Sequence, residues 1–175
     1  MSSQEQPHQR TFLVTGANKG IGFEVVKKLM KNHPNDLILL GSRDQKRGED
    51  ALVQLGSPQN VKLLLLDISS KESIEQAKQE IQNKYGGYLD VLINNAGIFI
   101  PEPGLKALND TFNTNFYGVK NMNDIMSPLL RDNGRIVNVG SEAGTLTPKA
   151  CSEELKTKFF DPNLTEAELL GLFAP

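Results

Sequence analysis

Apolar residues along the chain follow two periods. Residues 11–15 (TFLVT), 36–41 (DLILLG), 61–66 (VKLLLL), 89–94 (LDVLIN) and 135–139 (RIVNV) are short apolar or β-branched runs. Runs of that length predict strands, and the continuous apolar run 36–41 predicts one covered on both faces. Between them the apolar positions recur at helical spacing. The sets are Ile21, Val25, Val26, Leu29 and Met30, then Ala51, Leu52 and Leu55, then Ile74, Ala77, Ile81 and Tyr85. Residues 105–130 carry the longest pattern, through Phe112, Phe116, Val119, Met122, Ile125, Met126, Leu129 and Leu130. Breakers separate the segments: residues 32–35 (NHPN), Gly56-Ser57-Pro58, and Gly86-Gly87. Five strands alternate with four helices, which predicts a parallel sheet with right-handed crossovers and helices on both faces.

That is the α/β class in its Rossmann-type doubly wound form, with strand order 3-2-1-4-5, and ligands on such sheets bind at the carboxyl ends of the strands. The motifs sit at those ends. Gly16-Ala17-Asn18-Lys19-Gly20-Ile21-Gly22 lies between the first strand and its helix. Glycines there allow a tight turn, a close backbone approach to a pyrophosphate and tight helix packing, while the helix N-terminus supplies free N–H donors. The second strand ends at Gly41-Ser42-Arg43. An acidic residue at that end selects NAD. Arg43 and Lys19 instead place two cations near a ribose 2′-phosphate, and guanidinium suits phosphate bidentately, so NADP(H) is the expected cofactor. A shift of one residue in register would return the carboxylate of Asp44 to the same region.

Taken together these pieces resemble the short-chain dehydrogenases/reductases, and within them the NADPH-dependent carbonyl reductases. The matching motifs are residues 15–22 (TGANKGIG), Ser42-Arg43-Asp44, Leu66-Asp67-Ile68, Asn94-Asn95-Ala96-Gly97, residues 113–118 (NTNFYG) and residues 134–141 (GRIVNVGS). Residues 150–172 resemble the helical insertion that carbonyl reductases carry between their catalytic serine and tyrosine. The resemblance implies reduction of aldehydes, ketones or quinones by hydride from NADPH. It places Asp67 and Ile68 at the adenine and Asn95, Ala96 and Gly97 along the cofactor. Asn115 would be the mid-helix catalytic asparagine, and Ser141 the serine that stabilises the developing oxygen charge. Without the resemblance, Asp67 reads as a helix cap and residues 94–97 as a turn. Gly140 stands where the family more often has serine.

One part of the pattern is missing. The family's general acid is a tyrosine followed by lysine one helical turn later, beyond the serine. Here Tyr85, Tyr88 and Tyr117 all precede Ser141, and no Tyr-x3-Lys occurs in the 175 residues. Lys149, Lys156 and Lys158 follow the serine without a partner tyrosine and read as solvated charges. The chain is therefore expected to be a truncated form with little activity. The alternative is a catalytically silent NADPH-binding or protein-interaction module. The later strands of the family sheet are absent, which leaves strand five as an edge able to pair with another chain. Phe112, Phe116, Met122 and Met126 are expected to lose part of their packing.

Composition narrows the partners. Nineteen Lys and Arg against 21 Asp and Glu leave a net charge of −2, unlike the basic balance of nucleic-acid binders. One cysteine makes neither an internal disulfide nor a cysteine-based metal site, so no metal and a cytoplasmic home are expected. No apolar run approaches the length of a membrane span. The expected organisation is a flexible stretch over residues 1–10, a dinucleotide-binding domain over 11–149 and a helical segment over 150–175. A small carbonyl compound is the expected substrate, and the family resemblance implies a monomer.

Overall fold

The computed structural model describes residues 9–102, 104–142, 144 and 151–172. Two compact units follow one another, Met1–Val139 and Gly140–Pro175. The first contains a parallel five-stranded sheet in the order β3-β2-β1-β4-β5. Its strands are β1 (Thr11–Val14), β2 (Leu37–Ser42), β3 (Val61–Leu65), β4 (Leu89–Asn94) and β5 (Leu130–Asn138). The first three helices are α1 (Gly20–Asn32), α2 (Gln45–Gln54) and α3 (Lys71–Lys84).

The alternation of side chains along the strands builds two cores. Leu13, Leu37 and Leu39 face one side, where they pack with Ile74, Ala77 and Ile81 of α3. Phe12, Val14, Ile38 and Leu40 face the other, against Val26 of α1 and Ala51 of α2. Every residue of β1 and β2 is buried, which explains why these strands read as continuous apolar runs.

The long helical pattern after β4 is not one helix. It divides into α4 (Leu105–Phe112), a π-helical turn (Asn113–Gly118), α5 (Val119–Met126) and a 3-10 turn at Ser127–Leu129 that carries Pro128. Gly118 closes the π turn against the loop after β3, where a Cβ would stand 2.8 Å from the Ile68 carbonyl oxygen. Met122 and Met126 are fully buried with Leu89, Leu92 and Ile81, so the expectation that these two lose packing is wrong. Their partners come from β4 and α3, which the chain already contains. Phe112 and Phe116 are half-buried and meet edge to face, with ring centroids 6.4 Å apart.

β5 begins earlier than residue 135. Leu89 pairs with Leu130 and Val91 with Arg135, so the four residues 131–134 bulge out opposite Asp90. Arg131 fastens this bulge, donating to Asp90 from Nε at 3.0 Å and lying 4.2 Å from the Tyr88 ring centroid. Among the described residues β5 pairs with β4 alone, and Ile136, Val137 and Val139 are exposed.

In the second unit, Ser152 caps α6 (Glu153–Phe159), and Thr165 with Glu168 forms a capping box on α7 (Glu166–Gly171). Hydrogen bonds from Thr165 hold the Glu168 carboxyl below its ordinary range. Lys156 and Lys158 are ion-paired to Glu153 and Glu154, so they are bound within their own helix rather than merely solvated. Lys149 and residues 1–8 lie outside the described residues.

Candidate nucleotide-binding site

A cleft of about 340 Å³ opens at the carboxyl end of the sheet, between the turn after β1, the end of β2 and the loops after β3 and β4. Of the residues expected to touch a cofactor, Gly16, Asn18, Lys19, Gly20, Ile21, Arg43, Asp67, Ile68, Asn95, Ala96 and Gly97 all line it. Topology explains the convergence. β1 and β4 are neighbours in the sheet and β2 lies on the other side of β1, so their carboxyl ends share one rim.

Hydrogen bonds hold the rim in shape. The Thr15 hydroxyl accepts from Asn95 N–H at 3.0 Å and Ala96 N–H at 2.9 Å, and donates to the Ile93 carbonyl at 3.4 Å. Asn95 returns the link, its Nδ2 donating to the Thr15 carbonyl at 2.9 Å and the Gly16 carbonyl at 3.2 Å. Gly16 adopts φ +62°, and a Cβ there would stand 2.9 Å from Ala96 Cα. Gly20, at φ +59°, has nothing within 4 Å of its missing Cβ. Its open side and the exposed start of α1 leave room for an anionic group, which is what a phosphate cradle requires.

Thr15 is fully occupied by these bonds. Exchanging it for valine, which matches its shape, would strand two amide donors at the turn. An unmade bond at a largely buried site costs roughly 1–3 kcal/mol. Thr15→Val is expected to unfold about 2 kcal/mol more easily in urea, whereas Thr15→Ser, which keeps the hydroxyl, should lose much less. Equal losses in the two variants would show that the hydroxyl is not what holds the rim.

Arg43 and Asp44 have separate tasks. Asp44 is the N-cap of α2, its Oδ1 accepting from Arg47 N–H at 2.8 Å, and the same exposed residue also lines the cleft. Ser42 braces the same turn, donating from Oγ to the Asp44 carbonyl at 2.8 Å. Arg43 and Arg47 are both exposed and both line the cleft, and Lys19 lines it from the β1 turn. Arg47 escaped the sequence reading. Its signal is spacing, since it stands four residues after Arg43 at the start of the helix that leaves β2.

Three further positions are not among the residues that line the cleft. Gly22 is buried beneath the cleft and does not line it. Asn115 lies in the π turn with its amide turned to the loop after β4. Its Oδ1 accepts from Ile98 N–H at 2.8 Å and its Nδ2 donates to the Ile98 carbonyl at 2.8 Å. Both faces of that amide are occupied, so its work in this structure is to hold the loop after β4. Thr114, its neighbour, lines the cleft along with Leu66 and Ile98. Ser141 belongs to the second unit, where its carbonyl accepts from Gly144 N–H at 3.0 Å.

Asp67 makes a local turn, accepting at Oδ1 from the Ser69 N–H and hydroxyl at 3.0 and 2.7 Å. It does not cap α3. Ser70 does, accepting from Ser73 N–H at 3.2 Å.

The short chain dehydrogenase family model matches residues 10–153. The chain belongs to that family. It is 39% identical over 165 residues to carbonyl reductase (NADPH) 1 of Rattus norvegicus, covering 91% of this chain and 59% of that protein. It is 40% identical to carbonyl reductase (NADPH) 1 of Bos taurus over the same shares. The chain thus spans about three fifths of the length of these relatives. Among solved structures it is similar to salutaridine reductase from Papaver somniferum, with TM-score 0.81, 27% identity, and 94% of this chain and 68% of that chain covered. A short-chain dehydrogenase/reductase from Brucella melitensis matches with TM-score 0.72 and 25% identity, over 79% of this chain and 60% of that one.

Among the described residues no group of three or more His, Cys, Asp or Glu side chains could hold a metal ion, and no helix is long and apolar enough to cross a membrane.

Proposed function

We propose that this chain binds NADP(H) and carries the cofactor half of a carbonyl reductase acting on aldehydes, ketones or quinones. The observation that supports this reading most is the joint position of Arg43, Arg47 and the glycine turn's own Lys19 on one cleft. Three cations against one carboxylate, Asp44, whose Oδ1 is engaged in a helix cap, suit a ribose bearing a 2′-phosphate. The glycine turn and the start of α1 would face the pyrophosphate, Asp67 and Ile68 the adenosine, and Asn95, Ala96 and Gly97 the chain of the nucleotide toward the nicotinamide. The bound nucleotide supplies a hydride. The protein's own residues orient it and exclude water from the adenosine side.

Ser141 is the proposed oxyanion partner of the substrate, and Asn115 is proposed to act by fixing the loop that carries Gly97. No Tyr-x3-Lys lies within these residues. Loss of a general acid typically lowers turnover by about 10²- to 10⁴-fold, so reduction by this chain alone is proposed to be slow. That same feature favours a second reading, an NADPH-binding module without catalysis. A cytoplasmic location, and association through the exposed β5 edge, complete the proposal.

The test has two steps. Titrating the purified chain into NADPH and following the nucleotide's own fluorescence should give saturable binding, with weaker binding of NADH. Absence of saturation would remove the proposal. Steady-state reduction of a quinone should then be slow and fall further in Ser141→Ala. Undetectable turnover alongside tight NADPH binding would favour the silent module, and turnover unchanged by Ser141→Ala would remove the serine's assignment.

A further inference from the structure

The bulge at the start of β5 contains the chain's one Asn-Gly pair, Asn133-Gly134. The fold demands both residues. Asn133 holds φ +65°, a left-handed conformation that asparagine tolerates better than most residues. A Cβ on Gly134 would stand 2.9 Å from the Arg131 carbonyl oxygen and 3.1 Å from Leu130 Cδ2, so the next position is restricted to glycine. Asn133 is exposed, and its side-chain amide makes no hydrogen bond with the described residues, although its carbonyl accepts from Arg135 Nη1 at 3.1 Å. Glycine carries no side chain to shield its backbone nitrogen. A free asparagine amide is thereby left next to an unhindered nucleophile.

We propose that Asn133 is a site of spontaneous deamidation and isoaspartate formation. The Gly134 backbone nitrogen, on losing its proton, attacks Asn133 Cγ. A C–N bond forms, the Cγ–Nδ2 bond breaks and ammonia leaves with the proton. Water then opens the five-membered imide at either carbonyl, giving aspartate or isoaspartate at this position without oxidant or reductant. The isoaspartate product adds one carbon to the backbone. Residues 131–134 already bulge opposite Asp90, while pairing resumes from Val91 with Arg135 to Asn94 with Asn138. The bulge can take up that extra length without shifting the register of residues 135–138, so the modified chain keeps its sheet.

The test is to incubate the folded full chain in mildly alkaline buffer and map its peptides by mass over time. The peptide holding residue 133 should gain about one dalton at least about tenfold faster than any other asparagine-containing peptide, because only this asparagine precedes a glycine. The product should accept a methyl group from a protein isoaspartyl methyltransferase. Asn133→Gly, which keeps the left-handed residue free of strain, should abolish both signals in a protein that still unfolds cooperatively. A peptide map in which another asparagine reacts first, or in which residue 133 reacts only after the chain is unfolded in urea, would overturn the proposal.

Discussion

Gly22→Ala is expected to abolish measurable nucleotide binding and to lower stability, although alanine is the better helix former. Gly22 is the third residue of α1 and fully within it, so propensity alone would favour the substitution by about 1 kcal/mol. Space decides otherwise. The new Cβ would fall inside contact distance of Asn95 Nδ2 and stand 2.9 Å from the Gly16 carbonyl oxygen and 3.0 Å from Ala17 Cα. Two of those neighbours are backbone and cannot swing aside. Asn95 would have to move, losing its bonds to the Thr15 and Gly16 carbonyls and releasing the link between the β1 turn and the β4 loop. Forced overpacking typically costs roughly 1–3 kcal/mol, and each lost hydrogen bond adds about 1 kcal/mol, so the net loss should be about 2–4 kcal/mol. Urea unfolding reads the stability and NADPH fluorescence reads the site. Gly20→Ala, where nothing lies within 4 Å of the Cβ, separates strain at φ +59° from crowding. A Gly22→Ala protein as stable as the parent and binding NADPH normally would show that Asn95 does not need its present position.

The parts of this architecture that were legible in the sequence are those governed by burial over whole elements. β1 and β2 are buried along their full length, so nothing but apolar, β-branched or small residues fits them, and their composition alone marks them. The glycine turn was legible for a related reason, since positive φ at Gly16 and Gly20 and the crowding at Gly22 each exclude other side chains. Individual tasks within the rim were harder to read. Thr15 closes a strand with a β-branched residue, and nothing in the pattern shows that its hydroxyl serves three backbone groups. That Asp44 caps α2 while also lining the cleft depends on one residue of register, which the pattern does not reveal. Apolar spacing does not mark the π turn, because residues 113–118 keep the pattern of an α-helix; only the resemblance at Asn115 implies a distorted backbone there. The turn's signature lies in a contact between Gly118 and Ile68, which are fifty residues apart in sequence. The exposed edge of β5 was readable, but the bulge that begins it was not, because residues 131–134 carry no apolar alternation to fix their register.

Removing both Arg43 and Arg47 is expected to erase the preference for NADPH over NADH while leaving NADH binding within about twofold. The two side chains leave the carboxyl end of β2 and the first turn of α2 and line the same cleft as Lys19. A hydrogen bond to a charged group contributes about 1.5–3 kcal/mol. Both arginines are exposed, so water and salt screen them and the lower end applies. The single variants Arg43→Ala and Arg47→Ala should each weaken NADPH by about tenfold, and the double variant by about 10²-fold. NADH lacks the 2′-phosphate. Two controls follow from the same electrostatics. Raising salt should weaken NADPH more than NADH in the parent and not in the double variant. Lowering pH should do likewise, because a phosphate monoester takes up its second proton near pH 6 and the dianion that both arginines are proposed to address is lost as pH falls through that value. Asp44→Ala should act differently, weakening the first turn of α2 by about 1 kcal/mol through the lost cap, without selecting between the two nucleotides. Equal weakening of NADPH and NADH by the arginine variants would mean that these cations serve the pyrophosphate or the fold, and the chain's assignment as an NADP(H) protein would fall with it.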